Sequence, residues 1–138
     1  MVFDSGLSAG AFLLGRVLFA LVVGYVALGN LLDLEASVGY AQSKGAPFAS
    51  ITVPLGSLGL VAGALAVLAG VYPAVGALAV VVFLAPITVI MHDFWTMDGQ
   101  DRQNEEIHFL KNVGLLGAAL LFLALSGATW PMALGPGL

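Results

Sequence analysis

Four long apolar stretches separated by short polar ones run along this chain, and their lengths decide the fold class. They cover about residues 9–32, 51–70, 74–95 and 107–130. A helix needs about 20 mostly apolar residues to cross the hydrocarbon of a bilayer, and each stretch supplies that. A buried strand would be about 4–8 residues long. The pattern predicts an all-α protein, an integral membrane four-helix bundle, formed as a single domain over residues 1–138. An even number of spans puts both termini on one side of the membrane. Pro73 is placed to start the third helix after a tight turn, and Pro86 should kink that helix near its middle. Pro131, Gly135, Pro136 and Gly137 end the fourth. Trp95 and Trp130 fall at opposite ends of the bundle, as an aromatic belt requires. Gly59 and Gly63 form a GxxxG on the second helix, which favours close helix packing within a bundle or in a homo-oligomer.

The polar positions are one-sided. Of the fourteen Lys, Arg, Asp, Glu and His side chains, all but Asp4 and Arg16 lie in or beside the loops joining helices one to two and three to four. That end is side B; the end holding both termini and the tight turn is side A. The first side-B loop, about 18 residues, is long for a helix–helix connection. Within it Leu34, Val38 and Ala41 recur at helical spacing, Asp33 can cap a start, and Gly45 and Pro47 mark an end. The expectation is a short helix in the interface or folded over the bundle mouth; the alternative is a solvated loop. The second side-B loop, 97–106, is strongly acidic.

Composition narrows the class further. The chain is 60% hydrophobic and 9% charged, with a mean hydropathy of +1.05. Soluble domains carry about 25% charged residues, and so short a chain cannot hide this much apolar surface in an aqueous core. The N-terminal stretch lacks preceding basic residues and is too long for a cleaved signal, so it reads as a retained first span. A net charge of −4 argues against nucleic-acid binding. The absence of cysteine removes disulfides, thiolate ligands and any iron–sulfur cluster bound by this chain.

Candidate chemistry sits where helix three ends and helix four begins. His92–Asp93–Phe94–Trp95 closes one; His108–Phe109–Leu110–Lys111–Asn112 opens the other. His108, Lys111 and Asn112 share a helix face, and a hairpin brings both groups to one membrane depth. His92, Asp93, Trp95, His108, Lys111 and Asn112 are therefore the candidate ligand-binding or proton-relay residues, with Phe94, Trp95 and Phe109 as apolar walls. Such a pocket suits a quinone head, whose carbonyls need donors when oxidised and acceptors when reduced; a His beside an Asp can do both. The competing reading is structural: charged residues at helix ends snorkel to the head groups, and Asp93 pairs with Lys111. Haem is not expected, because these histidines lie among charged groups, and no metal-ligand motif is present. Arg16, about 10 Å deep from side A, either snorkels outward, forms a buried pair or marks a second polar site.

These residues resemble the DoxX family of small four-helix membrane proteins. The resemblance rests on Gly15–Arg16, on Tyr40–Ala41–Gln42–Ser43–Lys44–Gly45–Ala46–Pro47, on Val53–Pro54–Leu55 with the glycine-rich helix ending at Gly70, and on the two histidine motifs in that order. It implies a membrane subunit associated with redox systems, since family members include a subunit of a thiosulfate:quinone oxidoreductase. It also implies cytoplasmic termini, whereas counting Lys and Arg alone would place side B inside; the family orientation is the expectation adopted. One departure stands out: the family often carries a glutamate on helix two where this chain has Gly59. The expected role is a redox-associated integral membrane subunit with a quinone- or lipid-facing polar pocket on side B, at most the membrane subunit of a quinone-linked oxidoreductase. Its partners would be the lipid bilayer and other membrane or soluble oxidoreductase subunits. A structural module docking a soluble oxidoreductase, and a small-solute transporter, are the alternatives.

Overall fold

The computed structural model describes residues 1–137. Its elements are α1 (Gly6–Leu32), α2 (Leu34–Ser43), α3 (Ala49–Ala69), α4 (Pro73–Met91), a 3-10 turn (Phe94–Thr96) and α5 (Gly99–Ala124). The fold is all-helical, and α1, α3, α4 and α5 are each long and apolar enough to cross a membrane. Helices are the form such a chain must take, because in lipid every backbone N–H and C=O must be satisfied within its own segment. The protein is a multi-pass membrane protein.

Both ends of α5 differ from the sequence expectation. α5 begins at Gly99, about eight residues early, so most of the acidic 97–106 segment is helix rather than loop. Asp101 in its first turn suits the positive end of the helix dipole, and the Gln100 amide donates to Asn104 Oδ1 at 3.0 Å one turn on. α5 then stops at Ala124, so the last apolar residues form an irregular tail. The expected short helix in the first side-B loop is present as α2. Asp33 alone separates it from α1, but its side chain makes no capping hydrogen bond. Pro73 opens α4 as expected, and α4 continues through Pro86 to Met91.

Small residues bring α3 and α4 together. A Cβ on Gly63 would come within 2.7 Å of Gly76 O, and one on Gly76 within 2.6 Å of Ala66 Cβ. The GxxxG therefore serves packing inside the chain: without a hydrophobic drive in lipid, close backbone approach is what yields dispersion contacts. Around this seam Leu60, Val67, Val80 and Leu84 are buried with Phe19 and Val23 of α1 and Phe122 of α5. α1 and α5 meet through aromatic rings near side A. Phe12 stands edge-on to Phe122 at 5.6 Å and to Trp130 at 4.9 Å, and Phe19 to Phe122 at 5.1 Å. Trp130 is thus a buried plug, 5% exposed, and not a belt residue at the membrane surface.

Arg16 neither snorkels nor pairs with an acid. It is fully buried, at 0% exposure. Its Nε donates to Val67 O at 3.0 Å, Nη2 to Leu68 O at 2.5 Å and Nη1 to Pro131 O at 2.6 Å. The guanidinium also lies 5.9 Å from the Phe12 ring centre and 5.3 Å from that of Trp130. The carbonyls belong to the C-terminal turn of α3, where helix dipoles leave negative charge and unpaired acceptors, and to the tail. Arg16 is thus a structural pin on side A, bonded to three backbone carbonyls.

Replacing Arg16 by Met should lower the thermal midpoint of the detergent-solubilised protein substantially. Each carbonyl left dry without its donor costs about 1–3 kcal/mol. Arg16→Lys should recover only part, because one ammonium cannot present the planar fork to three acceptors. A Met variant as stable as the parent would show that water or lipid replaces the pin.

Candidate functional site

On side B the chain gathers a cluster of polar side chains from α2, the end of α4 and the start of α5. His92 follows α4, and its Nδ1 lies 2.6 Å from Glu105 Oε2. Tyr40 of α2 donates its hydroxyl to the other carboxylate oxygen, Glu105 Oε1, at 3.0 Å. His108 stacks on His92, with ring centres 5.3 Å apart and planes inclined by 28°. The two candidate histidines are therefore together, as the hairpin argument expects.

Asp93 pairs with a different lysine from the one expected. Its Oδ1 accepts from Lys44 Nζ at 2.8 Å, and Oδ2 accepts from the Thr96 hydroxyl at 3.1 Å. Lys44 ends α2, so this bond ties α2 to the α4–α5 hairpin. Lys111, half-buried on α5, makes no ion pair among the described residues. Asn112 is buried one turn deeper than His108. Neither takes part in the cluster's hydrogen bonds. The aromatic walls are largely spent on one another: Phe94, Trp95 and Phe109 pack edge to face at 5.3–5.8 Å. Arg102 lies over the Phe94 ring at 5.4 Å, and Trp95 stays half exposed.

Glu105, Tyr40 and Lys44 were missed as site residues. Glu105 stands three positions before His108, a same-face spacing on a helix. That signal was hidden because residues 97–106 read as a loop. Tyr40 and Lys44 stand four apart on α2, and the Lys44 ammonium lies 5.6 Å from the Tyr40 ring centre.

The electrostatics follow from these contacts. The hydrogen bond to Asp93 raises the Lys44 ammonium above its ordinary value near 10.5, outweighing the opposing effect of burial. Burial first, and then the bond to the Glu105 carboxylate, raises the Tyr40 phenol above its ordinary value near 10.0. Both groups therefore keep their protons when α2 is docked.

A cavity of about 540 Å³ lies beside the cluster. It is enclosed by the end of α1, by α2, by the first half of α3 and by the last half of α4, and Tyr40 belongs to both cavity and cluster. Its size falls in the range of about 300–1,000 Å³ usual for small-molecule sites.

Residues 11–93 match the family described as DoxX. The chain belongs to the DoxX family. The matched region runs from α1 to Asp93, while Glu105 and His108 lie beyond it. The chain is also 28% identical over 126 residues to the inner membrane protein YphA of Escherichia coli (strain K12), covering 91% of this chain and 89% of that protein. No solved structure matches the chain.

The Lys44 and Tyr40 shifts make a signed prediction. A group whose proton is held more tightly in the docked state contributes stability below its ordinary pKa and loses it as pH rises through the raised value. α2 should therefore stay docked at neutral pH and loosen above about pH 10. The chain has no cysteine, so a nitroxide on Gln42→Cys reports α2 alone. Its mobility should rise at alkaline pH, and a Lys44→Met background should show that mobility already at neutral pH. Equal mobility in both backgrounds would mean that the Lys44–Asp93 contact does not hold α2.

Proposed function

We propose that this protein is a redox-associated membrane subunit that presents a proton-exchanging polar cluster on side B to a quinone-type ligand. The observation that carries this reading is the His92–Glu105 contact at 2.6 Å, with His108 stacked on His92 at 5.3 Å. An imidazole N–H facing a carboxylate is oriented and can pass a proton to and fro near neutral pH. Glu105 engages Nδ1, which leaves Nε2 of His92 as the atom for exchange with a ligand.

The donor set fits a quinone. His108 is exposed on the same face and can donate to a carbonyl or accept from a hydroxyl, according to tautomer. A bound quinone would supply paired electron and proton transfer, with the electrons exchanged with a partner protein. The chain's own part would be to orient the head group, hold a proton at His92, and anchor the arrangement through Tyr40 and Lys44. The YphA relative is described as an inner membrane protein, which agrees with a membrane location and is neutral about redox work.

A second reading draws support from α5. Asp98, Asp101 and Arg102 are exposed at its start, a hydrophilic surface on side B that a soluble oxidoreductase could dock against.

Affinity for a decyl-benzoquinone, measured beside thermal stability on one detergent preparation, separates these readings. His108→Ala should weaken binding about threefold to tenfold, the loss of one hydrogen bond of about 0.5–1.5 kcal/mol. Stability should hardly change, because His108 is exposed. No affinity in the parent moves the function to docking, and binding unchanged in the variant takes the ligand away from His108.

A further inference from the structure

The cavity under α2 has a chemical character that the charged cluster beside it lacks. None of the residues lining it carries a charge. Its walls are apolar, Phe83 and Ile87 among them, and its polar groups are the neutral side chains of Asn30, Ser37, Tyr40, Thr52 and Ser57. Ser57 is only 2% exposed. Thr52 spends its hydroxyl on the carbonyls of Pro47 and Phe48. Tyr40 gives its proton to Glu105, so its phenol oxygen keeps acceptor capacity toward the cavity. Leu55 and Pro86 line the same space and are exposed on the outside of the bundle. The mouth is therefore on a surface that faces lipid.

We infer that this cavity seats an uncharged amphiphile with a small hydrogen-bonding head and an apolar chain, the head toward Tyr40 and Ser57 and the chain leaving between α3 and α4. An ionised head group is disfavoured by its desolvation: a carboxylate or phosphate brought here would lose water with no cation lining the wall. Lys44, which follows α2, is already paired with Asp93 at 2.8 Å. A neutral head meets hydroxyl and amide partners without that loss. The inference rests on reading side B as the ligand-binding face, and it moves the ligand from the histidine pair itself to the space next to it. Tyr40 is then a positioning residue, because it touches both the cavity and Glu105.

The experiment titrates the full chain in detergent with decyl-benzoquinone, decan-1-ol and decanoate at pH 8. It compares the parent with two cavity-filling variants and with His108→Ala. Ala36→Trp fills from the roof, at a position exposed in the parent, and should fold normally. Gly56→Leu fills from the floor, where a Cβ meets Ile87 and Phe83 at ordinary contact distances of 3.7 and 3.8 Å. Both variants should lose at least about tenfold in affinity for the neutral probes, with decanoate the weakest ligand throughout. Decan-1-ol binding as well as the quinone, and lost in both filling variants, would uphold the cavity and overturn the quinone reading. Quinone affinity lost in His108→Ala but untouched by Ala36→Trp and Gly56→Leu would uphold the histidine site and overturn the cavity. Decanoate binding as tightly as decan-1-ol, or no probe binding at all, would also overturn the cavity.

Discussion

A buried guanidinium without a carboxylate is the interaction on which the side-A end depends. Taking an arginine out of water is tolerable only if its charge and its N–H groups are met. Here the C-terminal turn of α3 meets them, with Val67 and Leu68 offering carbonyls and Pro131 adding a third. The same contacts that satisfy the cation cap the helix, so neither is stable without the other. The tail is drawn in as a consequence. Leu134 N donates to Ala69 O at 2.8 Å, Tyr72 N to Pro136 O at 2.9 Å, and Trp130 Nε1 to Leu125 O at 2.8 Å. A Cβ at Gly70 would lie 2.8 Å from Ala133 Cβ and 3.1 Å from Arg16 Nη2, and its φ of +67° is the left-handed form glycine adopts freely. Side A is thus filled and cross-braced.

Side B is built differently. Its ties are ion pairs and hydrogen bonds between side chains on separate elements: Lys44 to Asp93, Tyr40 to Glu105, His92 to Glu105. All involve groups that change charge with pH, and all sit where water can reach. Such contacts hold less firmly than buried packing, and they are what fastens α2 to the α4–α5 hairpin. α2 is also the roof of the cavity. On the proposed reading, a roof fastened at its edge would let a ligand enter without unpacking the α3–α4 seam.

The spans were legible because length and hydropathy alone identify a membrane helix, and four such runs leave few arrangements. Pro73 at the start of α4 was equally plain, while the spacing of Leu34, Val38 and Ala41 pointed to a short helix with a solvated loop as the alternative. The α5 start was not, because Asp98, Asp101 and Glu105 look like a loop to a hydropathy argument, yet acids in a first turn are favourable to a helix. Of the candidate residues, His92, Asp93 and His108 lie close together, as hairpin geometry expects. Lys111 was expected to pair with Asp93, but Lys44 reaches it instead from about fifty positions away in sequence, a partner that depends on how α2 folds back. Arg16 was visible as an oddity, while its partners were not. They are backbone carbonyls, and these carry no residue type to read.

The departure at Gly59 connects these observations. Where DoxX relatives often carry an acid, a Cβ here would fall 2.2 Å from the Phe83 ring. Phe83 as placed and a side chain at that position exclude each other. The ring also lines the cavity and gives it an apolar wall. Arg16 does not miss that acid, because its hydrogen bonds run to carbonyls. On the proposed reading, proton exchange is therefore confined to the side-B cluster. The adjoining cavity contributes shape and neutral hydrogen bonding, and the middle of the bundle contributes packing alone. That division also bears on transport. Beyond Lys111, three positions deeper on α5 than His108, a charged solute crossing between these helices would meet no further charged side chain before Arg16, whose guanidinium is already bonded to three carbonyls.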